Sequence, residues 1–134
     1  MKKYKSGLLF GTFDPFHYGH LSLIRRAREL CDKLYICIDS DDLIRSKGRE
    51  PVVNIKDKLD DMSILADYVG VESYQFPKKY YIDLLKPEVL IKGDDWVGKN
   101  WEGEQYCKTI YIPHTKGIHS TNIYGLGIPK NWRI

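Results

Sequence analysis

The stretch that decides the fold class is residues 7–20, which read GLLFGTFDPFHYGH. Its first four residues form a short apolar run that ends at Gly11, as expected for a buried strand. From Leu21 onward, apolar residues recur every three to four positions, which predicts a helix. A strand that passes through a glycine-containing turn into a helix indicates an α/β protein.

The rest of the chain continues this alternation. Strand-like runs occur at residues 34–38, 69–76, 89–91 and 109–112, helical patterns occur at 55–65 and 80–85, and a polar stretch at 39–51 is predicted as a loop. Asn54 is the expected N-cap of the helix at 55–65. Continuous apolar runs are typical of parallel strands covered on both faces. We therefore expect an α/β, Rossmann-like three-layer sandwich with a central parallel five-stranded sheet, formed by a single domain over residues 1–134.

Composition excludes several classes of protein. The 134 residues carry a net charge of +3, which is far from the dense cationic surface of a nucleic-acid binder. No apolar stretch is long enough to cross a membrane or to act as a signal peptide, so we expect a cytoplasmic protein with no membrane partner. The three cysteines fit no metal-binding spacing, so no metal site built by the protein itself is predicted.

Four polar or glycine-containing segments follow four of the predicted strands, at residues 11–20, 39–51, 93–101 and 113–121. In an open parallel sheet, ligands bind outside the carboxyl ends of the strands. The four segments are therefore expected to meet at one rim and to form one site.

The first segment carries His17 and His20, which are three residues apart at the predicted helix start. That spacing places two side chains next to each other on a helix. The N-terminus of a helix favours phosphate, and imidazole can stabilise the charge that develops in phosphoryl transfer. Gly19 leaves room for a nucleotide close to the backbone. The alternative is a pair of surface histidines at a helix cap.

This segment resembles the GTFDxxHxGH signature of the cytidylyltransferase family, within the HxGH nucleotidyltransferase superfamily. The resemblance implies that His17 and His20 are catalytic and bind the triphosphate of the nucleotide. It also implies a nucleotide pocket lined by Gly11, Thr12, Phe13 and Gly19, with Asp14 near the metal or the attacking phosphate.

The second segment, residues 39–51, contains three carboxylates followed by three cations and by itself is typical of a solvated loop. In the family, this loop supplies a lysine toward the phosphates of both substrates. Lys47, as a catalytic and substrate-binding residue, and Arg49, as a substrate-binding residue, match that position, and Arg45 is an alternative. Asp41 is a further candidate for substrate binding. Lys58, a further candidate for substrate binding, matches an arginine near the start of the family's middle helix. At the position of a second arginine the sequence offers Ala66 or Asp67, and neither is a cation.

The third segment reads KGDDWVGK at residues 92–99, directly after a predicted strand. A carboxylate can accept hydrogen bonds from hydroxyl groups and an indole can form the wall of a pocket, so Asp95 and Trp96 are candidate substrate-binding residues. The alternative is a surface turn with a packed tryptophan. The segment resembles the GDDWxGK stretch of glycerol-3-phosphate cytidylyltransferases.

The fourth segment reads PHTKGIHST at residues 113–121 and resembles the family's second signature, RTEGISTT. The nucleotide-binding residues implied there are His114, Thr115, Gly117, His119, Ser120 and Thr121. Three positions depart from the signature: His114 replaces arginine, Lys116 replaces glutamate and His119 replaces serine. An imidazole is shorter than a guanidinium and is not reliably charged at neutral pH, so triphosphate binding is expected to be weaker or differently arranged.

The resemblance implies an enzyme that transfers CMP from CTP to a small phosphorylated alcohol, with glycerol 3-phosphate as the first choice. It implies a product that feeds cell-wall or capsule synthesis, Mg²⁺ as the ion that accompanies the nucleotide, and a homodimer. Residues 47–52 and 84–93 also resemble the adenylyltransferase of ADP-heptose synthesis, so a sugar phosphate and ATP are the alternative substrates. A nucleotide-binding module without turnover stays open because of His114. A flavodoxin-like carrier shares the sheet pattern but has no use for the histidine pair.

Overall fold

The computed structural model describes residues 2–14 and 16–113. The described part contains five strands and four α-helices. The strands are β1 (Tyr4–Gly11), β2 (Cys31–Asp39), β3 (Tyr68–Glu72), β4 (Val89–Gly93) and β5 (Thr109–Ile112). The helices are α1 (Tyr18–Leu30), α2 (Asp41–Ser46), α3 (Ile55–Leu65) and α4 (Lys78–Leu85), and a 3₁₀ turn covers Asp94–Trp96. None of these helices is long and apolar enough to cross a lipid bilayer.

The five strands form one parallel sheet in the order β3-β2-β1-β4-β5. The chain runs outward from β1 to β3 and then crosses back to β4 on the other side of β1. This reversal opens a crevice at the carboxyl ends of the central strands, where such folds bind their ligands. The predicted Rossmann-like fold and five-stranded parallel sheet are confirmed.

Two apolar cores cover the two faces of the sheet. One core packs α1 and α3 against the sheet through residues that include Ile24, Met62 and Ile36. The other core packs α4 and Trp101 against strand residues such as Leu90. Successive residues of a strand point to opposite faces, so the continuous apolar runs of β1, β2 and β4 supply both cores. The sheet is therefore the middle layer of three.

The largest differences from the sequence-based prediction are the end of β3 and a helix within the predicted polar loop. Strand β3 ends at Glu72, because Ser73 and Phe76 close a turn in which each backbone N–H group bonds to the other residue. The predicted polar loop contains α2, which was not predicted. The hydroxyl of Ser40 caps this helix by accepting the N–H of Leu43, and the acidic first turn and basic last turn complement the helix dipole.

Candidate active site

A cleft of about 860 Å³ lies at the carboxyl ends of the strands. Its volume falls in the usual range for small-molecule sites. The predicted site residues that line it are Gly11, Thr12, Phe13, Asp14, His17, Gly19, His20, Lys47, Arg49, Asp95 and Trp96. The segments after β1, β2 and β4 thus meet as expected. The predicted residues His114, Thr115, Gly117, His119, Ser120 and Thr121 lie outside the described residues.

The two histidines form a reciprocal cap at the start of α1. The N–H of His20 donates to Nδ1 of His17, and the N–H of His17 donates to Nδ1 of His20, both at 3.3 Å. A ring nitrogen that accepts a hydrogen bond carries no proton, so each neutral imidazole holds its proton on Nε2. Both rings line the cleft. The cap therefore determines the tautomer in which the histidines face a ligand.

Aromatic packing keeps His20 neutral. Its ring stacks on His17 at a centroid distance of 3.6 Å, is parallel to Phe16 at 5.9 Å, and meets the edge of Phe13 at 5.0 Å. Burial, followed by the charge of His17, lowers the pKa of His20 to about 3. A neutral imidazole donor can bind a phosphate without titrating at physiological pH.

Phe13 adopts a left-handed backbone conformation, with φ of 50°. For a residue with a Cβ atom, this region costs on the order of 1–3 kcal/mol and persists only where the surroundings enforce it. The Phe13 ring is buried and packs on His20. A Cβ atom at Gly11 would approach that ring to 2.7 Å, which explains the glycine at the end of β1. The strained turn thus places the Phe13 ring against the imidazole of His20.

The neutral state of His20 leads to a test by NMR. We expect the imidazole resonances of His20 to stay constant between pH 8 and about pH 5 in the folded protein, because its pKa is lowered to about 3. The same residue should titrate near 6.5 in the chain unfolded by urea. Between about pH 6.5 and pH 3, the His20 imidazole binds a proton in the unfolded chain but not in the folded protein. The contribution of His20 to the free energy of unfolding is therefore complete above about pH 6.5 and is lost as the pH falls toward 3. A His20 titration near pH 6.5 in the folded protein would contradict the buried stacking.

Asp14 forms a buried ion pair with Lys58. The Nζ atom of Lys58 lies 3.0 Å from Oδ2 of Asp14, and the two side chains are 0% and 1% exposed. The carboxylate also accepts the N–H groups of Val52 and Val53. Burial alone would raise the pKa of Asp14, but the hydrogen bonds from Lys58 and these two residues hold it below its ordinary value. Asp14 thus ties the turn after β1 to the chain before α3.

Two predicted substrate-binding residues do not line the cleft. Lys58 is fully buried on α3 behind Asp14. Asp41 begins α2, where its charge favours the helix N-terminus. Substrate binding by these two residues stays a prediction that the geometry does not favour, because neither side chain reaches the described surface of the cleft.

An ion pair with Asp39, a residue that the sequence analysis did not select, holds Lys47 in the cleft. Its Nζ atom lies 2.5 Å from Oδ2 of Asp39 and 3.3 Å from the hydroxyl of Thr12. The Thr12 hydroxyl donates to the same carboxylate oxygen at 2.8 Å. Asp39 is the last residue of β2, so this triad joins the ends of two adjacent strands to the segment after α2. Arg49 reaches back to donate to the backbone carbonyl of Asp14.

The cleft lining also includes charged and tryptophan residues that the sequence analysis did not select: Glu72, Lys78, Lys92, Trp101 and Glu102. Lys78 donates to Oε2 of Glu72 at 2.8 Å. Lys92 lies over the rings of Trp96 and Trp101, at 4.4 and 4.7 Å from their centroids. Asp39, Glu72 and Lys92 share a signal that could have identified them, because each is a charged residue at or next to the end of a buried strand. Lys78 and Trp101 come from α4 and a loop, and no local pattern marks them.

The chain is similar to known nucleotidyltransferases. Residues 8–124 match the family described as cytidylyltransferase-like. The chain is 30% identical to the glycerol-3-phosphate cytidylyltransferase of Bacillus spizizenii, over 89% of this chain and 94% of that protein. It is 35% identical to the bifunctional protein HldE of Helicobacter pylori, over 84% of this chain but only 25% of that protein.

Solved structures support the fold independently. A lipopolysaccharide core biosynthesis protein from Thermoplasma volcanium superimposes with a TM-score of 0.67 at 19% identity, covering 84% of this chain and 97% of that one. A pantoate-beta-alanine ligase from Francisella tularensis superimposes with a TM-score of 0.59 at 17% identity, covering 87% and 61%. At such identities the likeness concerns the fold alone. The family match over most of the chain is the stronger finding: this chain belongs to the cytidylyltransferase-like family and is a nucleotidyltransferase.

Proposed function

We propose that this enzyme transfers CMP from CTP to a small phosphorylated alcohol, with glycerol 3-phosphate as the leading acceptor, and releases pyrophosphate. The observation that carries the proposal is the capped histidine pair, which presents two imidazoles to the cleft at the N-terminus of α1. Such a terminus favours phosphate groups through its backbone N–H groups and its dipole. The choice of glycerol 3-phosphate rests on the GDDW segment at residues 93–96 and on the names of similar proteins.

In the proposed reaction, a phosphate oxygen of the acceptor attacks the α-phosphorus of CTP. The new P–O bond forms as the bond to the β-phosphate breaks, and the electron pair leaves with pyrophosphate. His17 and His20 donate hydrogen bonds from Nε2 and stabilise the charge that builds up on the phosphate oxygens. Lys47 neutralises further charge and positions a phosphate. No covalent enzyme intermediate is required.

Mg²⁺ belongs to this proposal as an ion that arrives with the triphosphate. No cluster of three ligands that could hold a metal ion occurs in the described part of the chain. Asp39 and Glu72 of the cleft already pair with lysines, whereas Asp95 and Glu102 have no such pairing among the described residues. One or two carboxylates together with substrate phosphates suit Mg²⁺, and bound there it would neutralise charge on the phosphate oxygens. We also propose that the enzyme is a homodimer and acts in the cytoplasm.

A second candidate is the transfer of AMP from ATP to a sugar phosphate. It is favoured by the 35% identity to HldE proteins, which slightly exceeds the 30% identity to the glycerol-3-phosphate enzymes. The chain spans about a quarter of those bifunctional proteins, so only one of their parts is comparable. Both candidate reactions use the same histidine pair and the same in-line displacement. They differ in the nucleobase of the triphosphate and in the acceptor.

The test is pyrophosphate release with Mg²⁺, with CTP or ATP combined in turn with glycerol 3-phosphate or a heptose 1-phosphate. We expect release with CTP plus glycerol 3-phosphate at a rate at least about tenfold above the other pairs, since a buried polar group left unpaired costs on the order of 1–3 kcal/mol. Reactions without acceptor control for simple hydrolysis of the nucleotide. Release only with ATP and the heptose phosphate would replace the leading function by the second candidate.

A further inference from the structure

The cleft has two sides that face different layers of the fold. His17 and His20 belong to the turn and helix on the α1 side. Leu90 packs in the α4-side core with Trp101. Residues two apart on a strand share a face, so Lys92 also lies on the α4 side. The cleft thus has a histidine side and a Lys92 side.

Lys92 is held by aromatic rings rather than by a carboxylate. Its Nζ atom lies 4.4 Å from the ring centroid of Trp96 and 4.7 Å from that of Trp101. Trp101 is only 8% exposed, so one wall of this cage belongs to the core. Among the described residues, Lys92 has no ion pair, whereas Lys47 and Lys78 each have one. A cation–π contact uses no hydrogen-bond acceptor, so the ammonium keeps donor capacity for a ligand.

The charged groups around Lys92 leave it without a counter-ion of its own, because the two nearby carboxylates, Asp39 and Glu72, already pair with Lys47 and Lys78. Burial, followed by Lys78 of α4 and Lys47 beyond α2, lowers its pKa to about 8, and only Asp39 of β2 and Glu72 of β3 oppose this shift. A buried cation without a counter-ion is unfavourable. A phosphate monoester would supply the missing negative charge at this point of the cleft.

From this placement we infer that Lys92 binds the phosphate group of the acceptor, and that the α4 side of the cleft is therefore the acceptor subsite. The inference rests on the proposed function. In an in-line displacement, the attacking oxygen and the leaving pyrophosphate lie on opposite sides of the α-phosphorus. If the histidine side holds the nucleotide phosphates, the attacking phosphate must come from the other side, where Lys92 is located.

The test measures acceptor binding apart from turnover. For Lys92→Met, we expect the KM for the acceptor and its Kd, measured by calorimetry with glycerol 3-phosphate, to rise about 10- to 100-fold, the range for a hydrogen bond to a charged group. The Kd for the nucleotide should stay within about twofold, since Lys92 lies outside the histidine side. Lys92→Arg should restore much of the affinity because it keeps the charge. Lys99→Met is the matched control, since this exposed lysine lies near Trp96 but not in the cleft lining.

A pH series adds a readout that a merely structural role would not change. Because the pKa of Lys92 is lowered to about 8, acceptor affinity should fall as the pH rises through 8 in the wild type but not in Lys92→Arg. Unchanged acceptor affinity in Lys92→Met, or a loss confined to the nucleotide, would overturn the inference. So would the failure of both glycerol 3-phosphate and heptose 1-phosphate to bind the wild type. A third result would separate the two proposals. If glycerol 3-phosphate or heptose 1-phosphate binds the wild type but not Lys92→Met, the acceptor subsite is upheld. If none of the nucleotide and acceptor combinations releases pyrophosphate at the same time, the proposed reaction is refuted.

Discussion

Replacing His17 with asparagine should lower turnover by at least about 100-fold while leaving α1 intact, the usual size of effect for one donor that stabilises transition-state charge. His17 has two functions in the structure: its Nδ1 caps the helix, and its ring lines the cleft. Asparagine is among the best N-cap residues, because its side-chain oxygen can accept the same N–H group. Asparagine lacks the Nε2 atom of histidine, so it cannot donate a hydrogen bond at the distance that an imidazole reaches. The substitution therefore separates capping from catalysis.

His17→Ala is the companion variant. It removes both functions, so it should lose the same turnover and in addition about 1 kcal/mol of stability, as for other N-caps replaced by alanine. Turnover is measured as pyrophosphate release, and stability as the free energy of unfolding in urea. Near-normal turnover in His17→Asn would mean that the imidazole contributes only as a cap, and the proposed mechanism would then fail.

Replacing Lys58 with methionine should destabilise the protein by about 3–5 kcal/mol, the range for removal of one partner from a buried ion pair. The change leaves the carboxylate of Asp14 buried without its cation, although it keeps the N–H groups of Val52 and Val53. The double variant Lys58→Met with Asp14→Asn also removes the buried negative charge of Asp14 that the single variant leaves unpaired. The double variant should therefore be less destabilised than the sum of its two single variants.

Lys56→Met is the control for this experiment, since Lys56 lies on the same helix in an exposed pair with Asp60, and exposed pairs contribute little. We expect its urea midpoint to match that of the wild type. The measurement also separates the two roles considered for Lys58. A small loss of stability with a large rise in the acceptor KM would assign Lys58 to substrate binding, as the family resemblance implies, and not to the support of Asp14.

Local patterns in the sequence were sufficient to predict most of the strands and helices, because the causes of these elements are local. Apolar runs as in β2, an apolar period as in α1, and the Asn54 cap depend on neighbouring residues, and each was confirmed. Strand β3 was predicted too long because its sequence continues with Tyr74 and Phe76, whose aromatic side chains suit a strand as well as an exposed turn. Helix α2 was missed because charged residues dominate it and its cap at Ser40 is a single hydroxyl.

The sequence by itself determined the α/β class, the segments after β1, β2 and β4 that meet at the rim, and the histidine pair, whose spacing alone places both rings at one helix start. Only the tertiary structure decided which charges meet. Asp14 and Lys58 are 44 residues apart, and Lys47 reaches Asp39 only because the turn through α2 returns the chain to the end of β2. Such partners depend on strand order and helix packing, which no local window contains. For this reason Lys92, an ordinary lysine in the sequence, becomes a caged cation in the cleft only when Trp101 packs beside β4.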